Sequence, residues 1–187
     1  MTERPILFSG PMVRALPDGR KTQTRRLVKH HTDPEFWDVR RPGVWEVYDA
    51  NCANQTIEVA CPHGVPGDRL WVRETFAETP FGVFYRAEDS TEYPTDGKWR
   101  PSIFMPRRLS RLTLEITEVR VQRLQDITPE DAIAEGVFAE GRYSTAPGVP
   151  YPVATFAALW DGINSERASW ASNPWVWCIS FRRLEQP

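Results

Sequence analysis

Apolar and polar positions alternate with a period of two through much of this chain, and proline, glycine or acid-rich turns interrupt the alternation repeatedly. Residues 5–8 (PILF) read as a short buried strand. Ser9 can then cap a helix beginning near Pro11, because proline fits the first helical turn. Pro17-Asp18-Gly19 ends that helix. Residues 22–28 alternate as a strand, and 29–66 are irregular, with weaker strands at 45–48 and 56–60. Over 69–74, Leu70 and Val72 share one face, while Arg69, Trp71 and Arg73 take the other. Glu74 falls on the apolar face, an unusual place for an acid. Another strand is expected at 83–87, followed by a polar turn over 88–97.

From Leu112 the apolar positions are 112, 114 and 116, then 119 and 121; this change of parity predicts a bulge near Thr117 and Glu118. Thr128-Pro129-Glu130-Asp131 is a helix start with a cap, a proline at the first position and early acids, and Gly136 ends it. Val153, Phe156, Trp160 and Ile163 mark a second amphipathic helix. In the closing strand Trp175, Trp177, Ile179 and Phe181 share a face. Many short strands with two or three short helices predict an α+β fold: a small, mostly antiparallel β-barrel in a single domain over 1–187. Residues 29–66 and 88–104 read as loop-rich insertions.

Composition narrows this picture in three ways. A chain of 187 residues can bury a sizeable core, and its 17 prolines argue against a helical bundle. Three cysteines offer no disulfide framework and predict a reducing, cytoplasmic setting. The start, MTERPILFSG, does not read as a signal peptide, and no stretch approaches the roughly 18 apolar residues of a membrane span, so no membrane partner is expected.

Net charge is −2 but uneven: residues 1–31 and 98–123 each carry +5, against −8 over 32–97 and −4 over 124–187. Two basic blocks on an acidic background point to a localised anion site rather than a basic nucleic-acid coat. For any single arginine, solvation of a strand face is the plainer reading.

The stretch GRKTQTRR, residues 19–26, sets four cations around two threonines. Arg20 and Lys21 can complement the negative pole of the preceding helix, and Arg25 and Arg26 can be exposed strand charges. Composition alone favours that structural role. The reactive alternative needs Lys21 to be desolvated so that it accepts a proton from Thr24. Residues three apart in a regular strand face opposite ways, so Lys21 must then lie in the turn before the strand. Glu135 is a second oddity, a carboxylate in the last turn of its helix, where the helix pole disfavours it. Exposure to water is the simpler expectation for it. A site role needs it to face the cationic strip. Cys52, Cys61, His63, His30 and His31 could supply zinc ligands, but their spacing matches no zinc signature, so neither metal nor cofactor is expected.

Gly19-Arg20-Lys21-Thr22-x-Thr24-x-Arg26, then Pro66-Gly67-Asp68-x-Leu70-x-Val72, and the ending Trp177-Cys178-Ile179-Ser180-Phe181 resemble an ASCH domain of the PUA-like superfamily. Over nearly its whole length the chain is similar to the larger ASCH-like proteins of bacteriophages and prophages. The resemblance implies a PUA-like β-barrel with a cleft suited to RNA or a modified nucleobase. Its small bacterial members include an amidohydrolase of N4-acetylcytidine with a proposed lysine, threonine and glutamate set. Lysine and threonine fall on Lys21 and Thr24; an ungapped placement from Glu115 onward puts the glutamate on Glu135.

On that resemblance, Lys21 deprotonates Thr24, Thr24 attacks the acyl carbonyl, and Glu135 orients the lysine or carries a proton. Arg20 and Arg26 line the substrate side, with Arg26 also a candidate for the oxyanion. Glu74 is a reserve carboxylate, more simply explained as a buried partner of an arginine such as Arg107. The chain is longer than those enzymes, and its insertions could lid or fill the cleft. Two further functions stay open. A non-enzymatic reader of RNA or DNA would use Arg107, Arg108 and Arg111 on phosphate. A ribonuclease would need an acid–base histidine pair that is not evident. Neither the oligomeric state nor the substrate is legible.

Overall fold

The structure, a computed structural model, describes residues 1–29, 37–48, 56–88, 97–138 and 150–185. Along the chain, β1 (Glu3–Leu7), α1 (Gly10–Ala15) and β2 (Gln23–Leu27) come first, followed by β3 (Trp37–Arg41), β4 (Val44–Tyr48) and β5 (Thr56–Ala60). Next are β6 (Arg69–Arg73), β7 (Phe76–Thr79) and β8 (Gly82–Tyr85), then β9 (Thr113–Arg123), α2 (Pro129–Ala134), α3 (Tyr151–Asn164) and β10 (Trp175–Leu184). The fold is α+β and strand-rich, with three short helices and several sheets.

The main sheet has five strands in the order β1-β6-β9-β10-β2. All its pairs are antiparallel except β1 with β6, which is parallel. Among the described residues the sheet is open, with β1 and β2 at its edges. The parity change in β9 is the expected bulge: Ser180 pairs with Glu118 but Phe181 pairs with Ile116, leaving Thr117 as the extra residue.

The alternation in the closing strand marks one buried face, but β10 is buried on both. Val176, Trp177, Cys178 and Ile179 are each no more than 1% exposed. Trp177, Ile179 and Phe181 join the core of Ile6, Leu70, Val72, Leu114 and Ile116. Val176 and Cys178 face the opposite way, into a second core with Ala132, Val153, Phe156 and Trp160 from α2 and α3. A central strand covered by helices on one side and a sheet on the other needs no polar face. On α3, Val153, Phe156 and Trp160 are buried as their spacing predicts, but Ile163 is 64% exposed, because the helix runs past the edge of that core.

Residues 37–60 depart most from expectation. The strands expected at 45–48 and 56–60 form, and β3, which the pattern did not reveal, pairs with β4 to complete a three-stranded antiparallel sheet. This small sheet docks through tryptophan: Trp45 lies 4.8 Å and Trp37 5.9 Å from the ring of Trp177. Its inward residues are Trp45 and Val47, at 3% and 0% exposure. Of the second expected insertion, 88–104, residue 88 and residues 97–104 are described, and Ser102–Phe104 forms a 3-10 turn.

Candidate functional site

Two short helices end on either side of the segment that enters β2. Lys21 donates its backbone N–H to Ala15 O beyond the last turn of α1, and Thr22 donates to Ala134 O at the end of α2. Lys21 forms a single antiparallel bridge with Glu135, the residue that caps α2. Gly136 makes the approach possible. Its φ is +95°, and a Cβ there would meet Lys21 Cβ at 3.2 Å and Ala15 Cβ at 3.3 Å. Lys21 thus lies in the turn before β2, where the reactive reading required it.

The expectation that Glu135 is exposed is overturned: it is 4% exposed, and Lys21 is 3% exposed. Lys21 Nζ donates to Glu135 Oε2 at 2.9 Å, to Glu135 O at 2.8 Å and to Gln23 O at 2.8 Å, so its three N–H groups all have acceptors. Nζ also lies 5.1 Å from the ring centroid of Phe8. The helix pole that disfavours Glu135 is outweighed by two cations, since Arg25 Nη1 lies 3.5 Å from Oε1. Burial pushes Lys21 below the ordinary ammonium range; Glu135 pulls it back, while Arg26 and Arg25 push the same way as burial.

Arg25, expected as an exposed strand charge, is fully buried at its side chain. It donates to Asp131 Oδ2 at 2.7 Å and to Gln23 Oε1 at 2.5 Å. The parity of β2 explains this: Gln23 and Arg25 lie opposite Ser180 and Cys178, on the face covered by α2 and α3. Burial alone would raise the Asp131 carboxyl, but Arg25, Gln23 and Arg120 hold it below its usual range. Arg25 and Asp131 are the site residues that sequence reasoning missed. The signal that could have found them is the parity of Arg25 with Gln23, together with an acid on the first turn of a helix that ends at Glu135.

Thr24 and Arg26 take the other face, opposite Ile179 and Trp177. Thr24 is 2% exposed. Arg26 reaches from the β2 edge toward the β1 edge: Nη2 donates to Leu7 O at 2.7 Å, and its guanidinium sits 5.4 Å from the Phe8 ring centroid. One side chain thus links the two strands that no backbone ladder joins. Arg20 lies outside this group, paired with Asp18 at 2.9 Å and set over Phe138 at 5.2 Å.

The remaining candidates are held elsewhere. Glu74 is 2% exposed, and its partner is Arg111 rather than Arg107; Nε and Nη2 grip the two carboxylate oxygens at 2.8 and 3.0 Å. Arg111 also pairs with Glu88 and lies 4.2 Å over the Tyr85 ring. Arg107 is paired with Glu3 at 2.9 Å and Arg108 with Glu78 at 2.8 Å. Three of the arginines that gave residues 98–123 their positive charge are therefore neutralised by acids from β1, β7 and the segments after β6 and β8.

Cys52, His30 and His31 lie outside the described residues. Cys61 is buried in the main core, where burial pushes its thiol up to about 11. Among the described residues no three His, Cys, Asp or Glu side chains gather as a metal-binding group. No helix among them is long and apolar enough to cross a membrane. Comparison with family models, with curated proteins and with solved structures finds no match.

His63 carries a pH prediction. Burial, then the charges of Arg26 and Arg4, push it down to about 4 from an ordinary value near 6.5. A base depressed in this way leaves the folded state short of a proton that the unfolded chain binds. Stability should therefore be whole above pH 6.5 and decline toward pH 4, by about 2 kcal/mol after allowance for partial exposure. Urea midpoints at pH 7.0, 5.5 and 4.5 check this. His63→Gln should flatten the decline, and equal slopes for the two proteins would refute it.

Proposed function

We propose that this protein is a hydrolase of N4-acylated cytosine or cytidine, with Thr24 as nucleophile, Lys21 as its base and Glu135 as the carboxylate that orients the lysine. The observation that carries the reading is the buried Lys21–Glu135 pair, 2.9 Å apart and joined across 114 positions of sequence, with Thr24 three residues after the lysine on the edge strand β2. A lysine serves here where an arginine cannot, because only the amine gives up its proton near neutrality once desolvated. The chain holds only three lysines, Lys21, Lys29 and Lys98, against 20 arginines. On this reading the five-stranded sheet is an opened PUA-like barrel. For the acyl group to reach the buried Thr24 between the β1 and β2 edges, the Arg26–Leu7 contact that spans them has to open.

The chemistry balances without a cofactor. Neutral Lys21 accepts the Thr24 hydroxyl proton as the oxygen attacks the amide carbonyl. The tetrahedral oxyanion draws on Arg26. Lys21 then returns the proton to the departing cytosine amine, leaving an ester on Thr24. Water, deprotonated by the same lysine, cleaves that ester and regenerates the hydroxyl.

The reading as a nucleic-acid binder is served less well, because Arg107, Arg108 and Arg111 already face carboxylates. Phosphate contact there would have to displace those acids: the exposed Glu3 and Glu78 hold their arginines only weakly, but the buried Glu74 grips Arg111 through both carboxylate oxygens.

The test is deacylation of a panel of N4-acylated cytosines and cytidines by wild type, Thr24→Ala and Lys21→Ala. Wild type should turn over at least one member, and each variant should lose about a thousandfold or more in kcat/KM. Turnover that survives Thr24→Ala would refute the assignment. No turnover by a folded wild type would favour the binder, which predicts RNA affinity falling steeply with salt.

A further inference from the structure

We propose that Arg25 is a positioning residue for Lys21: it takes one oxygen of Glu135 while Lys21 takes the other, and Asp131 sets how firmly it does so. The inference rests on the reading of Lys21 as a base, but it concerns only the lysine's protonation state.

The geometry is a shared carboxylate. Glu135 Oε2 lies 2.9 Å from Lys21 Nζ, and Oε1 lies 3.5 Å from Arg25 Nη1. Arg25 Nη2 is anchored on Asp131 Oδ2 at 2.7 Å, and Arg120 Nη2 approaches the other Asp131 oxygen at 3.6 Å. Arg25 sits 5.8 Å from the Phe156 ring centroid, and its Nε is buried without an acceptor. Its guanidinium is therefore held in place by α2 and α3 rather than by solvent.

Two fully buried cations thus compete for one fully buried carboxylate. An arginine stays charged throughout the accessible pH range, so the lysine is the member that yields its proton. The distances show why it does not yield too readily: Arg25 prefers Asp131, which leaves the closer contact with Glu135 to Lys21.

The charged and titratable groups around Lys21 are Glu135 and Asp131 from α2, Arg25 and Arg26 from β2, Arg120 from β9 through Asp131, and Cys178 from β10. Burial pushes the Cys178 thiol up to about 12, so it remains neutral and does not compete. The Lys21 midpoint follows from the balance among the others. Removing the Arg25 charge should raise it, because the lysine then holds Glu135 alone. Removing the Asp131 charge should lower it, because Arg25 then turns to Glu135.

Because the chain contains only three lysines, 13C labelling at lysine Cε gives a three-signal spectrum, in which the Lys21 signal is the one absent from Lys21→Met. Its titration needs no substrate, so the inference and the proposed activity can fail separately. Arg25→Gln should move the Lys21 midpoint up by about one pH unit, Asp131→Asn should move it down, and Arg25→Lys should leave it near wild type. If deacylation is observed, the acid limb of kcat/KM should move with the midpoint in each variant. Midpoints that stay put, or that move the same way in Arg25→Gln and Asp131→Asn, overturn the proposal. If Arg25→Gln does not fold, Asp131→Asn decides alone: a fall sustains the proposal, and no change or a rise overturns it.

Discussion

Glu135→Ala should cost the fold about 3–5 kcal/mol, the usual penalty for leaving a buried charge without its partner. The loss is large because nothing nearby can replace the carboxylate. Lys21 keeps two carbonyl acceptors, at Gln23 O and Glu135 O, but these neutralise no charge. Asp131 is committed to Arg25 at 2.7 Å, and solvent is excluded from both members of the broken pair. Replacing both partners is a different experiment. Lys21→Met/Glu135→Leu removes the two buried charges together and should recover most of the loss, because a well-packed apolar pair is often as stable as the ion pair it replaces. Urea unfolding of wild type, the single variant and the double variant measures both. A single-variant loss below about 1 kcal/mol would show that water reaches the pair, removing the basis for a depressed Lys21. Recovery in the double variant, with deacylation abolished, would mark the ion pair as kept for chemistry rather than for stability.

Trp177→Ala should be comparably severe, at about 3–5 kcal/mol. Trp177 is 1% exposed and is the contact through which the small sheet rests on the main one, with Trp45 and Trp37 on its ring. Truncation leaves a cavity that two rigid sheets cannot close, and it removes the aromatic contacts of both partners. The effect should also be local in kind. Amide hydrogen exchange should accelerate most in β4, whose Trp45 and Val47 are buried, and in its neighbour β3, which carries Trp37, and least in β9 before the bulge. Trp177→Phe, which keeps an aromatic plug, should lose much less. Uniform acceleration across both sheets would mean that the small sheet has no independent docking energy.

Much of the framework was legible because it depends on neighbours along the chain. The caps at Thr128 and Gly136, the bulge at Thr117 and the spacing of Val153, Phe156 and Trp160 are written in residues a few positions apart. They form as read: Thr128 Oγ1 accepts from Asp131 N, and Phe181 skips to Ile116. Strands β4 and β5 were likewise visible in their own alternation. Where local pattern failed, a distant element was responsible. Ile163 has the periodicity of a core residue, but no second layer meets it there. The alternating face of β10 looked half-buried until α2 and α3 covered the other side.

The site divides along the same line. Lys21 and Thr24 stood out only as a lysine among hydroxyls in a basic run, where a structural role was the plainer reading and only a family resemblance favoured a reactive one. Glu135 stood out by its awkward place at a helix end. Sequence could not show that Glu135 turns inward. That depends on β2 lying against β10, on α2 packing over that pair, and on Gly136 letting Lys21 close to within a Cβ of the helix end. Nor could it show that Arg25 is buried while Arg107 and Arg108 are occupied by acids, since all three look alike in a basic run. Periodicity is set by short-range geometry and survives in one dimension. The neutralising partner of each charge is chosen by topology, because burial makes an unpaired ion too costly and the nearest counter-charge can lie 114 positions away.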